Sequence, residues 1–418
     1  MALRHSTITP LRVLLPVSIG TGFSLIGDAS LYAVLPTHFQ DAGIAVVMVG
    51  IILSANRFIR LFLNGPAGLA YDRFPRRPLF LLALLLGSLS TGIYALGGGF
   101  YPLLAGRLLW GLSWSGIWVG GNTMILDISG HGNRGRYVGL YNICFFLGTS
   151  SGSALGGLLT DWLGYHAAMG IGAGLTLAGT VLVWAFLPET SRLRGEKASA
   201  EIKRQQTFSP PETGGWRPLA ASFLLMGVNR LGVAGTLTPT LGLFLLQNFG
   251  SQIEIGGLLL GVTSATGIGL SVTYLVSMGS APLMGRISDS LENRWQAVAW
   301  GLLPGAAGFG MLAVGHPATV LAGLFLIAFA SGSNQGLAIA IVGDLSAEVK
   351  RGRTMGLLFT TGDLASAVGP LLAYALLPLV GLKLIYLGVA ALLAAMLLIA
   401  LQSAREKESG KWEVGSQQ

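Results

Sequence analysis

The feature that most restricts how this chain can fold is a series of apolar stretches, each about 20 residues long, separated by short polar segments. Only 11% of the 418 residues are charged, whereas 52% are hydrophobic. So few charges cannot cover the water-exposed surface of a soluble protein. A bilayer solvates apolar side chains, and a helix crosses it with about 20 mostly apolar residues. The chain is therefore predicted to be an all-α membrane protein.

Twelve of these stretches are predicted to cross the membrane as helices. They cover residues 11–36, 46–67, 78–97, 102–126, 137–159, 165–187, 219–246, 256–279, 296–314, 318–343, 354–379 and 382–402. The 62 glycines would destabilise soluble helices, but small residues allow membrane helices to pack closely. The glycine content therefore agrees with tight helix packing.

The basic residues are distributed unevenly among the segments that join these spans. The formal net charge of +8 could by itself indicate nucleic acid binding. However, 21 Lys and Arg residues lie in the tails or in even-numbered connections, and only Lys383 lies in an odd-numbered one. This is the positive-inside pattern. It predicts a multi-pass protein of the cell inner membrane, with both termini in the cytoplasm and with anionic lipid, not nucleic acid, beside its basic loops.

Cysteine and histidine indicate no metal or redox centre. Cys144 is the only cysteine and falls within a predicted span, which excludes disulfides within the chain. The five histidines lack metal-ligand spacing, so we expect neither a metal nor another cofactor. Residues 1–35 have the charged start of a signal peptide, but the apolar run is too long and contains Asp28. We expect it to remain as the first span.

Two polar landmarks recur at one offset of 217 residues. The matched pairs are Gly68 with Gly285, Asp72 with Asp289, Asp127 with Asp344, Arg134 with Arg351, Gly135 with Gly352, Arg136 with Arg353, Gly139 with Gly356 and Leu140 with Leu357. Agreement of separate sites at a single offset indicates that a six-span unit was duplicated. The prediction is one six-helix bundle in residues 1–187, a polar cytoplasmic linker in residues 188–218, and a second bundle with a cytoplasmic tail in residues 219–418.

Several motifs resemble those of the major facilitator superfamily, and the resemblance covers nearly the whole chain. Residues 68–77, GLAYDRFPRR, resemble the signature between its second and third helices, although Pro75 replaces the usual glycine. Span four contains RLLWG, with Arg107, and span six ends in LPET at 187–190, both of which are similar to family motifs. In span five, GTSSGSALGG at 148–157 resembles the glycine motif of the antiporter branches, with Ser153 in place of proline.

This resemblance implies the major facilitator fold, in which twelve transmembrane helices form two pseudo-symmetric six-helix bundles around a midplane cavity. It also implies a gate, because carboxylates and arginines at the cytoplasmic helix ends hold that side closed in such transporters. Charges that only direct membrane insertion are the alternative. The expected gate residues are Gly68, Asp72, Arg73, Arg76, Arg77, Asp127, Arg136, Gly285, Asp289, Asp344 and Arg353.

Asp28 and Arg107 are the candidate proton-coupling residues. A charge within the bilayer costs several kcal/mol and is retained mainly for function or pairing. Asp28 lies near the middle of span one and Arg107 in the outer half of span four. At 1.5 Å per residue their depths differ by only about 5 Å, so the two can pair across the first bundle. A static structural pair is the alternative.

Other polar and aromatic residues within the spans are candidates for the substrate cavity. Four intramembrane arginines against two aspartates leave an excess of positive charge, which would suit an anionic substrate. Trp110, Trp114 and Trp118 follow one face of span four and could form an aromatic wall or simply pack against a neighbour. The family resemblance implies that spans one, four, seven and ten line the cavity, which adds the polar residues of those spans. Together the cavity candidates are Arg57, Arg60, Trp114, Trp118, Asn122, Asn229, Arg230, Ser333, Asn334, Gln335 and Asp363.

Small residues mark two predicted sites of close helix packing. Gly148, Gly152 and Gly156 form one small-residue face on span five, and Gly369 with Pro370 occupies the place in span eleven that the repeat makes equivalent. The family resemblance implies that the span-five face packs on the second bundle and limits proton leak.

The predicted function is proton-coupled efflux of a small organic molecule by alternating access, in a protein that is a monomer and not an enzyme. Two alternatives stay open. One is an importer or symporter of an organic anion, motivated by the arginine excess. The other is a transport-inactive membrane sensor. The sequence shows no nucleophile paired with a base, no set of metal ligands and no phosphate-binding loop, which are the features that would indicate an enzyme.

Overall fold

A computed structural model of the chain describes residues 9–130, 133–191, 216–255, 257–291, 293–346 and 348–408. Long helices dominate these residues. They are α1 Pro10–Val34, α2 Val46–Arg73, α3 Arg76–Leu96, α4 Phe100–Ile128, α5 Arg134–Leu163, α6 Tyr165–Phe186, α7 Trp216–Phe249, α8 Val262–Ser290, α9 Arg294–Val314, α10 Pro317–Leu345 and α11 Glu348–Glu408. Most of the predicted linker, residues 192–215, and the tail from residue 409 lie outside the described residues.

Ten of the helices in the described part of the chain are long and apolar enough to cross a membrane. The tenth of these covers Arg353–Lys407, within α11. Helix α4 is not among the ten, although its 29 residues exceed the length that a crossing needs. Its apolar residues are interrupted by glycines, serines, tryptophans and Arg107. The predicted multi-pass membrane character is confirmed.

The longest helix, α11, is bent at Gly381. This glycine has φ 70° and ψ 166°, which lie outside the helical region and are readily adopted only by glycine. Each part is longer than the roughly 20 residues that one crossing needs. The bend falls between the two last predicted spans.

Two segments depart from the prediction of uninterrupted helices. Between α7 and α8, strands β1 Gln252–Ile255 and β2 Leu258–Gly261 form an antiparallel hairpin, so the span predicted from residue 256 begins as a helix only at Val262. Within α7, residues Leu231–Leu237 form a π-helical stretch. Pro239 follows it and has no backbone N–H for a regular helical bond. Such stretches are often found at functional sites.

The same packing pattern occurs in both halves of the chain. In the first half, α1 packs on α5, α2 on α4, and α3 on α4 and α6. In the second half, α7 packs on α11, α8 on α10, and α9 on α10 and α11. Shifting the first set by the repeat of 217 residues gives the second set. The geometry therefore agrees with duplication of a helical unit.

The two halves meet along two equivalent helix pairs, α2 with α11 and α5 with α8. Their close contacts lie near the starts of α2 and α8 and near the end of α5. These helix ends lie at one end of the molecule, opposite to the end where α1 begins. Gly50 of α2 faces the carbonyl of Pro370, and Gly157 of α5 faces the backbone of α8 around Gly267. At the opposite end, no atom of the described residues outside the same stretch of helix lies within 4 Å of where a β-carbon would stand on Gly68 or Gly285.

Candidate functional site

Asp28 and Arg107 form an ion pair between α1 and α4, as the depths of the two residues predicted. The Arg107 side chain is fully buried, whereas the Asp28 side chain retains 14% exposure. Arg107 also donates through Nη2 to the Tyr32 hydroxyl at 2.8 Å and through Nε to the Ile52 carbonyl at 3.3 Å. These partners fix the guanidinium while leaving one face of the carboxylate accessible.

Tyr32 links this ion pair to α2. It lies one turn after Asp28 on the same face of α1, and its hydroxyl donates to the Leu53 carbonyl at 3.2 Å. The guanidinium carbons of both Arg107 and Arg57 lie 5.0 Å from the centre of its ring, which permits cation–π attraction. Its i+4 spacing from Asp28 was the signal that could have identified it from the sequence.

Arg57 and Arg60 both reach from α2 into the second half of the chain. Arg57 donates through Nη1 to the carbonyls of Ala234 and Ser366, both at 2.6 Å. Arg60 donates to both carboxylate oxygens of Asp363 on α11 at 2.9 Å. Both arginines therefore join the halves. The Arg57 side chain is buried, and the Arg60 side chain is only partly exposed.

Arg230 lies in α7 immediately before the π-helical stretch. It is partly buried, and its Cγ lies 3.2 Å from the position that a β-carbon would take on Gly362. The charges of Asp363, Arg57 and Arg60 all act on it. Among the described residues, its side chain has no hydrogen-bond or ion-pair partner.

The tryptophan stripe of α4 forms a stack. The Trp110 and Trp114 rings lie 6.1 Å apart, and the Trp114 and Trp118 rings 5.7 Å apart, with nearly parallel planes. Phe145 of α5 contacts Trp114 and Trp118. Trp114 is buried and Trp118 is partly exposed, and these two rings pack α4 against α5. Trp110 instead lies against Gly87 of α3.

The remaining cavity candidates differ in accessibility. Asn334 does not line an open cavity in this conformation, because its side chain is fully buried against Gly301 of α9. Asn229 is buried and donates to the Ser331 carbonyl at 3.1 Å, which ties α7 to α10. Asn122 and Gln335 are partly exposed, and Asn122 donates to the Trp118 carbonyl.

Charged residues at the opposite end of the molecule pair within each half. Arg76 pairs with Asp127 in the first half, and Arg294 pairs with Asp289 and Asp344 in the second. The offset of 217 makes Asp344 equivalent to Asp127, but it places Arg294 on Arg77 and not on Arg76, so the arginine that holds this carboxylate stands at a different position in each half. That offset could have identified Arg294, which was not among the predicted gate residues. Arg73, Arg136 and Arg353 are exposed at the same end.

Glu189, in the LPET string, anchors the start of α3. Its carboxylate accepts hydrogen bonds from the backbone N–H groups of Arg76 and Arg77, both at 3.0 Å, and of Ser191 at 2.9 Å. Partial burial alone would raise the pKa of Glu189, but these donors outweigh it and the pKa is lowered. The string therefore has a structural role that the family resemblance did not specify.

The glycine face of α5 packs within its own half, contrary to expectation. Gly148 faces Gly22, and Gly152 and Gly156 face Ile26 and Ser30, all on α1. The face of α5 that meets the second half instead carries Ser150, Ser153 and Gly157. In α11 the equivalent Gly369 packs on Gly235 of α7, so the predicted close packing is present at both sites.

Comparison with known proteins gives consistent matches along the chain. The family model described as Major Facilitator Superfamily matches residues 17–279 and 234–417. The tetracycline resistance protein, class C, of Escherichia coli is 25% identical over 335 residues, which cover 78% of this chain and 79% of that protein. The Major facilitator superfamily domain-containing protein 10 of Bos taurus is 26% identical over 374 residues, which cover 82% and 75%.

The fold is also found in solved structures. A bacterial homologue of the human lysosomal transporter Spinster, crystallised in an inward-facing and occupied conformation, superimposes with a TM-score of 0.72 at 15% identity. The match covers 94% of each chain.

Proposed function

This chain belongs to the major facilitator superfamily and is a membrane transporter, and we propose that it exports a small organic molecule in exchange for protons. The observation that carries this proposal is the Asp28–Arg107 ion pair inside the membrane-spanning part of the first half. A carboxylate held by a buried arginine can take up a proton when the arginine moves away, and then loses its charge.

The proposed architecture has twelve crossings in two six-helix bundles, residues 1–187 and 219–418, with residues 188–218 as a cytoplasmic linker. Counting α4 as a crossing and dividing α11 at Gly381 gives this number. The packing pattern repeated in both halves supports the two bundles. The positive-inside pattern supports an inner-membrane location with both termini in the cytoplasm.

With that orientation, the described conformation is closed on the outer side and open to the cytoplasm. The contacts of Gly50 with Pro370 and of Gly157 with α8 would seal the outer side. Rocking of the two bundles would separate these contacts and bring the cytoplasmic helix ends together, where Asp72 and Asp289 with their neighbouring arginines would form the gate.

Export is favoured over import by two observations. The glycine string of α5 resembles the antiporter branches, and a tetracycline resistance protein is among the relatives. Import of an organic anion is the second candidate, because Arg57, Arg60 and Arg230 outnumber Asp363 within one cluster. In either case the protein would act as a monomer, in which each bundle contributes half of the cavity.

The test uses inverted membrane vesicles in which respiration acidifies the interior, with a pH-sensitive dye as the reporter. Compounds from a broad organic library are added, and export coupled to protons appears as loss of the pH gradient. We expect some compounds to dissipate the gradient with the native protein, and Asp28→Asn to abolish this at equal expression.

Asp41→Asn is the matched control, because Asp41 is an exposed carboxylate in the loop after α1. It should behave like the native protein. Full dissipation in Asp28→Asn would remove Asp28 from proton coupling. Accumulation of a substrate without any movement of protons would contradict the proposed mechanism as a whole.

A further inference from the structure

We infer that the transported molecule carries a carboxylate and that Arg230 is the residue that binds it. This inference rests on the proposed transport function and specifies its substrate class. The site lies where α2, α7 and α11 meet. It is formed by the side chains of Arg57, Arg60, Arg230 and Asp363.

The charges of this cluster do not balance. Asp363 is committed to Arg60, both of whose contacts with the carboxylate oxygens are 2.9 Å long. Arg57 is held by two backbone carbonyls, which carry only partial charge. Arg230 has no partner among the described residues. Two guanidinium charges in this cluster therefore lack a matching anion.

Such an excess is unfavourable inside a membrane protein, because like charges held close together repel one another where little water screens them. The entry of an anion would relieve this repulsion, whereas a cation would be repelled by the same charges. Electrostatics therefore selects the sign of the substrate at this site.

The unpaired group also has the right shape for a carboxylate. A guanidinium presents parallel N–H donors that match the two oxygens of a carboxylate. Arg60 already holds the carboxylate of Asp363, although it contacts both oxygens through Nη2 alone. Arg230 is partly exposed, and the π-helical stretch begins at the next residue. A substrate carboxylate at Arg230 would thus repeat, one helix away, the pairing that the protein makes with itself.

Asp363 would set the strength of this site. Its negative charge acts on Arg230 and also holds Arg60. Replacing it with asparagine would leave a third cationic group available to the ligand. Asp363→Asn should therefore bind carboxylates more tightly, which a purely structural role of the cluster does not predict.

The test is a thermal-shift screen on the purified full-length protein with a broad panel of aromatic and aliphatic carboxylates, each paired with its neutral carboxamide. A ligand that binds the folded state raises the melting temperature. We expect stabilisation by at least one carboxylate and none by its amide. Arg230→Gln should weaken that binding by about tenfold or more, the usual effect of losing a charged hydrogen bond.

Arg217→Gln is the matched control, since Arg217 is an exposed arginine at the start of the same helix. It should leave the affinity unchanged. Arg230→Lys keeps the charge without the paired donors, so it should fall between the native protein and Arg230→Gln. It also serves if the glutamine variant is poorly folded.

Three results would overturn the inference: equal stabilisation by acids and amides, unchanged binding by Arg230→Gln, or stabilisation by no carboxylate. The proposed function is judged separately. If neutral or cationic compounds dissipate the vesicle pH gradient while carboxylates fail to bind, transport stands and the substrate class is wrong. If carboxylates bind and no compound moves protons, the carboxylate site stands and proton-coupled transport is wrong.

Discussion

Gly50→Ala should destabilise the conformation in which the outer side is closed. A β-carbon on Gly50 would lie 2.7 Å from the Pro370 carbonyl oxygen and 2.8 Å from the Tyr374 Cβ. Ordinary contact begins at 3.4 Å, so α2 and α11 must separate by about 0.7 Å. The opposing atoms belong to backbone and to a β-carbon, so no side-chain rotation can make room.

The expected magnitude follows from the cost of overpacking, which is about 1–3 kcal/mol. This cost applies only while the halves touch at Gly50, so it shifts the ratio of outer-closed to outer-open molecules by about 5- to 150-fold. Alanine also favours the helical state, but it does so equally in both conformations. Gly65→Ala supplies that control on the same helix, since in the described part of the chain no atom outside its own helical turns lies within 4 Å of its β-carbon position.

Thiol cross-linking between Thr37→Cys and Thr263→Cys would report the outer-closed state. The two hydroxyls lie 3.4 Å apart across the halves, and Cys144→Ser removes the only native cysteine. With a short bifunctional reagent, Gly50→Ala should cross-link markedly more slowly than the parent, and Gly65→Ala at the parental rate. An equal rate in all three proteins would refute the argument that this glycine contact holds the outer side closed.

Two further predictions concern charged groups. Asp363→Asn should also slow cross-linking between Thr37→Cys and Thr263→Cys, because it removes the ion pair with Arg60 between the halves. The exchanged pair Arg60→Asp with Asp363→Arg should restore part of the rate. If the rate is not restored, loss of this ion pair is not the cause of the slower cross-linking. Glu189→Gln should lower stability by about 0.5–1 kcal/mol, since the carboxylate interacts with the start of α3 and is partly exposed. Folding lowers the pKa of Glu189. Its contribution to stability is therefore complete above the pKa of the unfolded state and is lost as the pH falls through the pKa of the folded state. The difference in melting temperature between the native protein and the variant should shrink in acid. A difference that is constant with pH would contradict this.

Hydropathy and charge predicted the helices well, because the bilayer imposes the length and the polarity of every crossing. The ends were less well predicted. Helix α2 continues to Arg73, beyond the predicted end at residue 67. Hydropathy marks where the apolar environment ends, whereas hydrogen bonding continues the helix into the polar region beyond it.

Predictions of the site succeeded where depth alone decides a contact. Asp28 and Arg107 lie at similar depths on helices of one half, and they pair. Predictions failed where the contact depends on the direction in which a side chain points around its helix axis. Gly148 and Gly157 lie on different faces of α5, one meeting α1 and the other α8, and spacing in the sequence does not say which neighbour each face meets. Asn334 points into α9 for the same reason.

The most direct test of alternating access is to measure two distances across the halves with spin labels in the Cys144→Ser background. One pair, Gln40→Cys with Gln252→Cys, reports the side that we propose is outer. The other pair, Leu69→Cys with Arg286→Cys, reports the side that we propose is cytoplasmic. All four residues are exposed. We predict two populations for each pair, with the cytoplasmic distance shortening when the outer one lengthens. Their ratio should depend on pH in the native protein and not in Asp28→Asn. A single, pH-independent distance for both pairs would contradict the transport mechanism.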